Sequence, residues 1–256
     1  MFEYLNENHG VAFVNCDDKF LQEDCFTRRR SLCYGQASKA DIRAKKIIAN
    51  ELGQSTFEVL WQKKNISFSV QLSVPGGHNV MNALAASTVG LKLKVKPKKI
   101  ALALRKFASA SKRMEMLSHN GIVILNDTYN SNPDSVIVAL RTLQTFNNSG
   151  KKVVVLGDMR ELGDSSKREH TNIGVIASEM KFDALYTFGP FSKYTSEAFG
   201  ATAKHFDSKE ELSKELTKVL THGDVVLIKG SRGMKMEEIV YQLTNINGQI
   251  TRREDH

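Results

Sequence analysis

Four short polar stretches hold the residues of this chain whose types and spacing could do chemistry. The densest, Asn126-Asp127-Thr128-Tyr129-Asn130-Ser131-Asn132-Pro133-Asp134-Ser135, offers carboxylates, amides, hydroxyls and a phenol in one run. Gly157-Asp158-Met159-Arg160-Glu161-Leu162-Gly163, with His170 after it, and Lys229-Gly230-Ser231-Arg232-Gly233 add acids and cations. A lysine and arginines in such loops suit a carboxylate or a phosphate, because charged donors bind anions strongly and arginine does so in a forked geometry. The fourth stretch, His78-Asn79-Val80-Met81-Asn82, sets an imidazole and two amides at helical spacings of three and four, which share a face. An amide presents both a donor and an acceptor, so this set can read the edge of a heterocycle. Each stretch also has an ordinary reading. A helix can be capped by its own polar first turn, an Asn-rich turn can cap backbone groups, and Gly-Ser-Arg-Gly can be a plain loop.

The elements around these stretches decide how they are positioned. Ile122 to Leu125 is an apolar run that reads as a buried parallel strand, and the apolar residues at 136, 139, 140 and 143 recur at helical spacing through Phe146. Pro133 suits the first turn of that helix, with Asn132 or Ser131 as its cap. Further apolar runs at 153–156, 184–188 and 225–228 alternate with helical segments at 166–180, 208–220 and 234–243, and Ala201 to Phe206 adds a short strand. Repeated βα units predict a mainly parallel sheet covered by helices. Open α/β sheets bind ligands at the carboxyl ends of their strands. Three polar βα loops, 126–132, 157–163 and 229–233, are then expected on one sheet edge, lining a single cleft.

The first part of the chain has a different texture. Residues 3–9 read as the end of a helix closed by Gly10, and Val11 to Val14 as a strand running into Asn15-Cys16-Asp17-Asp18. Ser31 to Leu72 breaks into short strands. Phe57 to Trp61 and Ile66 to Leu72 alternate about Lys63-Lys64-Asn65, which predicts an antiparallel hairpin. Val74-Pro75-Gly76-Gly77 then opens a helix from His78 to Val89, and Lys96 to Lys99 leads into a short amphipathic helix, Ile100 to Phe107. The polar stretch Ala108 to Lys112 is the expected domain boundary, giving one domain over 1–110, a second over 111–246 and a polar tail over 247–256.

Composition excludes several classes. The net charge is +8, but the basic residues come as scattered groups such as Arg28-Arg29-Arg30 and Lys151-Lys152, without interleaved aromatics or a nucleic-acid motif. Acidic small molecules account for the charge better than nucleic acid does. No run has the length or apolarity of a membrane span, and Met1-Phe2-Glu3-Tyr4 does not begin a signal peptide. Cys16, Cys25 and Cys33 form neither a CxxC pair nor a zinc-spaced set, which fits a reducing, cytoplasmic setting. No GxGxxG follows a strand, which argues against a Rossmann dehydrogenase.

Taken together the motifs resemble the Mur ligase family. The resemblance rests, in order, on Gly77-His78-Asn79-Val80-Met81-Asn82-Ala83-Leu84-Ala85-Ala86, on Arg113 followed by Asn126 to Ser135, on Gly157 to Gly163, and on Lys229-Gly230-Ser231-Arg232. It spans Phe2 to about Leu243. The Asp-Thr-Tyr-Asn-x-Asn-Pro and Gly-Asp-Met-x-Glu-Leu-Gly strings are most like the members that join D-alanyl-D-alanine to UDP-MurNAc-tripeptide. The resemblance implies the carboxyl-terminal part of a Mur ligase central ATPase domain followed by a Rossmann-like domain with a mainly parallel sheet. It implies an ATP-dependent amide ligase using ATP and Mg2+ and working through an acyl phosphate. By position, Asn79 and Asn82 resemble adenine-reading residues with His78 beside them. Asp127 resembles the carboxylate that binds the ribose, and Arg113 the arginine near ribose and phosphates. Tyr129, Asn130 and Asn132 are expected to border the site. Asp158, Glu161, Ser231 and Arg232 are expected to face the dipeptide and the acyl-phosphate end, with Arg113 and Lys229 as the catalytic cations.

One departure qualifies the resemblance. The family's central domain begins with a glycine-rich phosphate loop ending in Gly-Lys-Thr or Gly-Lys-Ser, and no such string occurs here; Ser149-Gly150-Lys151-Lys152 precedes a strand and lacks the hydroxyl residue. The upstream magnesium-binding segment and the UDP-binding domain are not matched either. The chain is therefore expected to be the carboxyl-terminal part of a longer ligase, with no ligation by itself and with the magnesium ligands outside it. Other Mur ligases and folylpolyglutamate synthase share the HNxxN-type helix and stand as alternatives, as does a non-catalytic nucleotide-binding remnant.

Overall fold

The computed structural model describes residues 2–21, 31–107 and 112–244. The Arg28 to Arg30 run, Cys25, residues 108–111 of the expected boundary and the 247–256 tail lie outside the described residues. The chain forms two compact units, Met1–Ala108 and Ser109–His256.

In the first unit, helix α1 (Phe2–Glu7) precedes strands β1 (Ala12–Asn15), β2 (Ser31–Gly35), β3 (Ile42–Ala49), β4 (Gln54–Trp61) and β5 (Ile66–Pro75), then helices α2 (His78–Lys92) and α3 (Pro97–Arg105). The strands lie side by side in chain order. β1, β2 and β3 run parallel, whereas β3, β4 and β5 are antiparallel. The expected hairpin is the β4–β5 pair. It turns through a single 3-10 turn, Gln62–Lys64, and Asn65 at φ 52°, a left-handed conformation that asparagine tolerates better than most residues. Alternate strand residues such as Ile42, Phe57, Val59 and Val70 pack against Val80, Leu84 and Leu91 of α2 and Ile100 of α3. Burying each such side chain contributes about 1.5–3 kcal/mol. Ser87 and Thr88 are buried within α2 and donate their hydroxyls to Ala83 O and Leu84 O, so neither is left unsatisfied. α3 starts three residues before its apolar period does, because Pro97 takes the first helical position.

The second unit is a six-stranded sheet in the order β10-β9-β8-β11-β7-β6. Its strands are β6 (Glu115–His119), β7 (Ile122–Asp127), β8 (Lys152–Gly157), β9 (Ala184–Phe188), β10 (Ala203–Phe206) and β11 (Val225–Lys229). All neighbours are parallel except β6, an antiparallel edge strand on β7. The helices are α4 (Pro133–Gln144), α5 (Ser166–Glu179), α6 (Ser192–Phe199), α7 (Lys209–Val219) and α8 (Glu237–Thr244). Leu212 and Leu216 of α7 and Ile239 and Val240 of α8 pack with Val153, Val155, Val226 and Ile228. α4 lies on β8 and β11 and packs on α5, which packs on α6. The central strands β8 and β11 are thus covered on both faces, which is why they read as unbroken apolar runs. Gly174 lets α5 approach α6 closely: a Cβ there would lie 2.4 Å from Thr195 O. Sequence periodicity did not predict β6 or α6, since Glu115–His119 does not alternate and α6 is short and polar.

Candidate functional site

The three polar loops of the second unit follow adjacent strands. β11 lies between β7 and β8, with Lys229 in register with Asp127 on one side and Leu156 on the other. All three carboxyl ends therefore open on the same edge, as the sequence led one to expect. At this edge Lys229 is 2% exposed, and its ammonium donates to Asp127 Oδ2 at 2.7 Å and Asn130 O at 2.8 Å. Asp127 Oδ1 accepts the Met114 amide at 3.0 Å. The Asp127 side chain is 16% exposed, so the carboxylate still has an accessible rim. Lys229, expected to face an acyl phosphate, has its charge directed at Asp127.

Around this pair the neighbouring polar groups close on one another. Buried Asn126 donates to Glu115 Oε2 at 3.1 Å and accepts from the Thr128 hydroxyl at 2.8 Å. The Arg113 guanidinium lies over the Tyr129 ring at 3.9 Å from its centroid, and that of Arg232 lies 5.6 Å from the same centroid. A cation over an aromatic face is attracted by the ring's negative face. Tyr129, 42% exposed, thus carries an arginine from each of two loops. Asn132 caps α4. Its side chain accepts the Ser135 amide at 2.8 Å while Ser135 Oγ accepts the Asn132 amide at 3.0 Å, and Pro133 follows at the first helical position.

Beside the pair lies a pocket of about 290 Å³ lined by Asn130, Ser131, Asn132, Arg160, Glu161, Ser231 and Arg232 among others. Two guanidinium-bearing residues line it, and the buried Ser131 hydroxyl there has no partner in the protein. A buried hydroxyl without a partner is costly. The walls are tied together: Ser231 Oγ accepts the Arg160 amide at 2.8 Å and donates to Ser131 O at 3.3 Å, and the Ser231 amide donates to Asp158 O at 3.1 Å. Glu161 sits in left-handed backbone at φ 67°.

Asp158, expected to face substrate, is buried and turned the other way. Its carboxylate accepts the Ser192 amide at 2.7 Å, the Ser192 hydroxyl at 2.6 Å and the Phe191 amide at 3.1 Å, and so fixes the loop after β9. His170 supports the loop after β8, which carries Asp158. Its Nε2 accepts the Met159 amide at 3.0 Å and its Nδ1 donates to Ser166 O at 2.7 Å, which makes it the neutral Nδ1–H tautomer. Asp158 also borders a larger groove of about 1070 Å³ with Phe188, Phe191, Phe206 and His205.

In the first unit, His78, Asn79 and Asn82 share the first turn of α2. Asn79 Nδ2 donates to Pro75 O at 2.7 Å, and Asn82 Nδ2 to Asn79 Oδ1 at 3.2 Å. A Cβ at Gly77 would meet nothing within 4 Å, so space is open in front of this turn.

Two residues of the second unit escaped the sequence reading. Lys112 Nζ donates to Glu237 Oε1 at 2.9 Å, and both side chains are largely buried. Burial pushes the Glu237 carboxyl up, but the Lys112 hydrogen bond, the backbone hydrogen bond and the charges of Lys112 and Arg232 together hold it below the usual glutamate range. Nothing in the sequence pairs residues 125 positions apart. Among the described residues no group of three or more His, Cys, Asp or Glu is placed to hold a metal ion. Among the same residues no helix is long and apolar enough to cross a membrane.

Comparison with known proteins places relatives beside this geometry. The Mur ligase middle domain family matches residues 1–90, and the Mur ligase, glutamate ligase domain family matches residues 112–232. A UDP-N-acetylmuramoyl-tripeptide--D-alanyl-D-alanine ligase of Bacillus subtilis is 32% identical over 244 residues, 91% of this chain and 51% of the relative. The crystal structure of MurF from Acinetobacter baumannii superposes with a TM-score of 0.80 at 29% identity, over 93% of this chain and 52% of that one. MurF ligase from Thermotoga maritima, solved in complex with ADP, gives 0.77 at 25% identity, over 92% and 53%. The chain spans about half the length of the relatives it matches.

Proposed function

This chain belongs to the Mur ligase family, and from that premise we propose that it carries the nucleoside-facing and amine-facing groups of an ATP-dependent ligase joining D-alanyl-D-alanine to UDP-MurNAc-tripeptide. In such a reaction a carboxylate oxygen of the tripeptide attacks the γ-phosphorus of ATP, releasing ADP and leaving an acyl phosphate. The amine of the dipeptide then attacks the acyl carbon, and the tetrahedral intermediate collapses by expelling phosphate as the nitrogen loses its proton. The work left to the protein is positioning and offsetting charge.

The observation that carries this reading is the pocket beside Asp127, whose lining includes Arg160, Arg232 and Ser131. That donor set fits the terminal carboxylate of a dipeptide. Ser231 serves there by holding Arg160 through its backbone amide, and Asn130 and Glu161 bound the pocket. Asn132, engaged as a helix cap, contributes the pocket wall and the start of α4. Asp127, its charge oriented by Lys229, is the acceptor for ribose hydroxyls, and Arg113 on the Tyr129 ring is the cation for the phosphates. Lys229 in this reading is a positioning residue acting through Asp127. Asp158 positions the loop after β9 and touches no ligand. In the first unit the amides of Asn79 and Asn82, with His78, are the adenine-reading groups.

Calorimetric titration of the chain with D-alanyl-D-alanine, and separately with ADP, tests the proposal. Saturable binding of each below about 1 mM, roughly −4 kcal/mol, is expected. Loss of dipeptide binding in Arg232→Ala with nucleotide binding kept would support the pocket assignment. Failure of the unaltered chain to bind either ligand would overturn the reading.

A further inference from the structure

Arg113 rides on a turn that is irregular on both sides of it. Lys112 at φ 64° and Met114 at φ 50° both occupy left-handed backbone, which residues with side chains keep only where their surroundings hold them. Three local bonds do part of this. Lys112 O accepts the Tyr129 amide at 2.9 Å, the Lys112 amide donates to Glu115 Oε2 at 3.1 Å, and the Met114 amide donates to Asp127 Oδ1 at 3.0 Å. The fourth hold comes from the far end of the unit, where Lys112 Nζ meets Glu237 Oε1 at 2.9 Å at the start of α8.

That pair is poorly suited to stability alone. Its side chains are 18% and 11% exposed, and the second carboxylate oxygen, Glu237 Oε2, is buried with no partner. A desolvated pair with an unused oxygen gains little net free energy over apolar packing, whereas it fixes geometry well. We propose that the Lys112–Glu237 ion pair is a tether that positions Arg113, clamping the 112–114 turn to α8 so that the guanidinium stays on the Tyr129 ring and faces the nucleotide. The functional half of this statement rests on the reading of Arg113 given above; the structural half does not. The pair touches no ligand, and its two residues are positioning residues. Because α8 follows the Ser231-Arg232 loop, the tether also links the turn bearing Arg113 to the loop bearing Arg232.

The test uses Lys112→Met, which keeps the length of the side chain and removes the charge, with Lys112→Arg as the conservative rescue. In the tethered molecule Lys112→Met accelerates exchange of the Met114 and Tyr129 amides about ten-fold or more, while the Val153 to Leu156 amides of β8 keep their protection. ADP affinity falls about ten-fold, D-alanyl-D-alanine affinity stays within about two-fold, and Lys112→Arg restores both exchange and ADP affinity. Unchanged exchange at Met114 and Tyr129, or an equal loss of both ligands that Lys112→Arg does not repair, overturns the tether. If the unaltered chain binds no nucleotide, the functional reading fails while the exchange measurement still decides the tether. Should Lys112→Met fail to fold, Glu237→Gln, which keeps the volume and removes the carboxylate charge, takes its place: faster exchange at Met114 and Tyr129 with weaker ADP binding is expected, and unchanged exchange at both amides overturns the tether.

Discussion

Lys229 Nζ and Asp127 Oδ2 lie 2.7 Å apart at the ends of two neighbouring parallel strands, 102 residues apart in the chain. The register that makes them neighbours is the one that aligns Val225 with Val123 at the other end of the same ladder. A slip of one residue would send Lys229 to the opposite face, so the ion pair and the apolar pattern of β11 enforce the same alignment.

Removing one partner of this pair leaves the other charge buried. Lys229→Met is expected to destabilise the second unit by about 3 kcal/mol, and Lys229→Met combined with Asp127→Asn by less than the sum of the two single changes. Trp61, the single tryptophan, lies in the first unit, so the unfolding of the second is followed by amide exchange at Val226 and Leu227.

Asp127→Ala should weaken ADP binding about ten-fold in calorimetry, since hydrogen bonds to a charged group are worth about 1.5–3 kcal/mol. An unchanged affinity would take Asp127 out of the nucleotide site.

Asn132→Ala removes the side-chain acceptor for the Ser135 amide at the start of α4 and leaves the Ser135 hydroxyl on the backbone amide of residue 132. A loss of about 1 kcal/mol in urea denaturation is expected, and an unchanged midpoint would mean that Pro133 alone suffices to start the helix.

Gly233→Ala separates geometry from stability. A Cβ at that position would lie 2.3 Å from Arg160 Nη1, the far end of a flexible side chain that can move. Stability should change by less than about 0.5 kcal/mol. D-alanyl-D-alanine affinity should fall about five-fold as the guanidinium leaves the pocket, with ADP affinity unaffected.

The Lys112–Glu237 pair gives a pH signature. The Glu237 carboxyl is held below its ordinary range, so its contribution is complete above that range and is lost as pH falls through the lowered value. Acid titration followed by unfolding should show less acid sensitivity below pH 5 in Glu237→Gln than in the unaltered chain. Identical acid limbs would count against the pair.

Much of the second unit was legible because its central strands are buried on both faces and read as unbroken apolar runs, as at Val153 to Leu156. The same simplicity located the three polar loops at strand ends, and Pro133 after Asn132 announced the helix start. β6 was missed because an edge strand needs no apolar alternation. The parallel pairing of β1, β2 and β3 was missed because short strands carry no signal of direction. Side-chain bookkeeping was the least legible. Nothing in Gly157 to Gly163 says that Asp158 turns inward to amides after β9, or that Lys229 spends its charge on Asp127. Those facts depend on register and loop path, which local sequence does not encode.

The inward turn of Asp158 has a consequence for variation. Through its carboxylate it grips the Phe191 and Ser192 amides, and through its carbonyl it receives the Ser231 amide. The loop after β9 is thereby chained to the wall of the small pocket without contributing a residue to it. Selection for altered amine preference should accordingly recover substitutions in residues 189–192 as well as in the pocket itself. Homologues that diverge in that loop can differ in what they accept while every pocket-lining side chain stays the same.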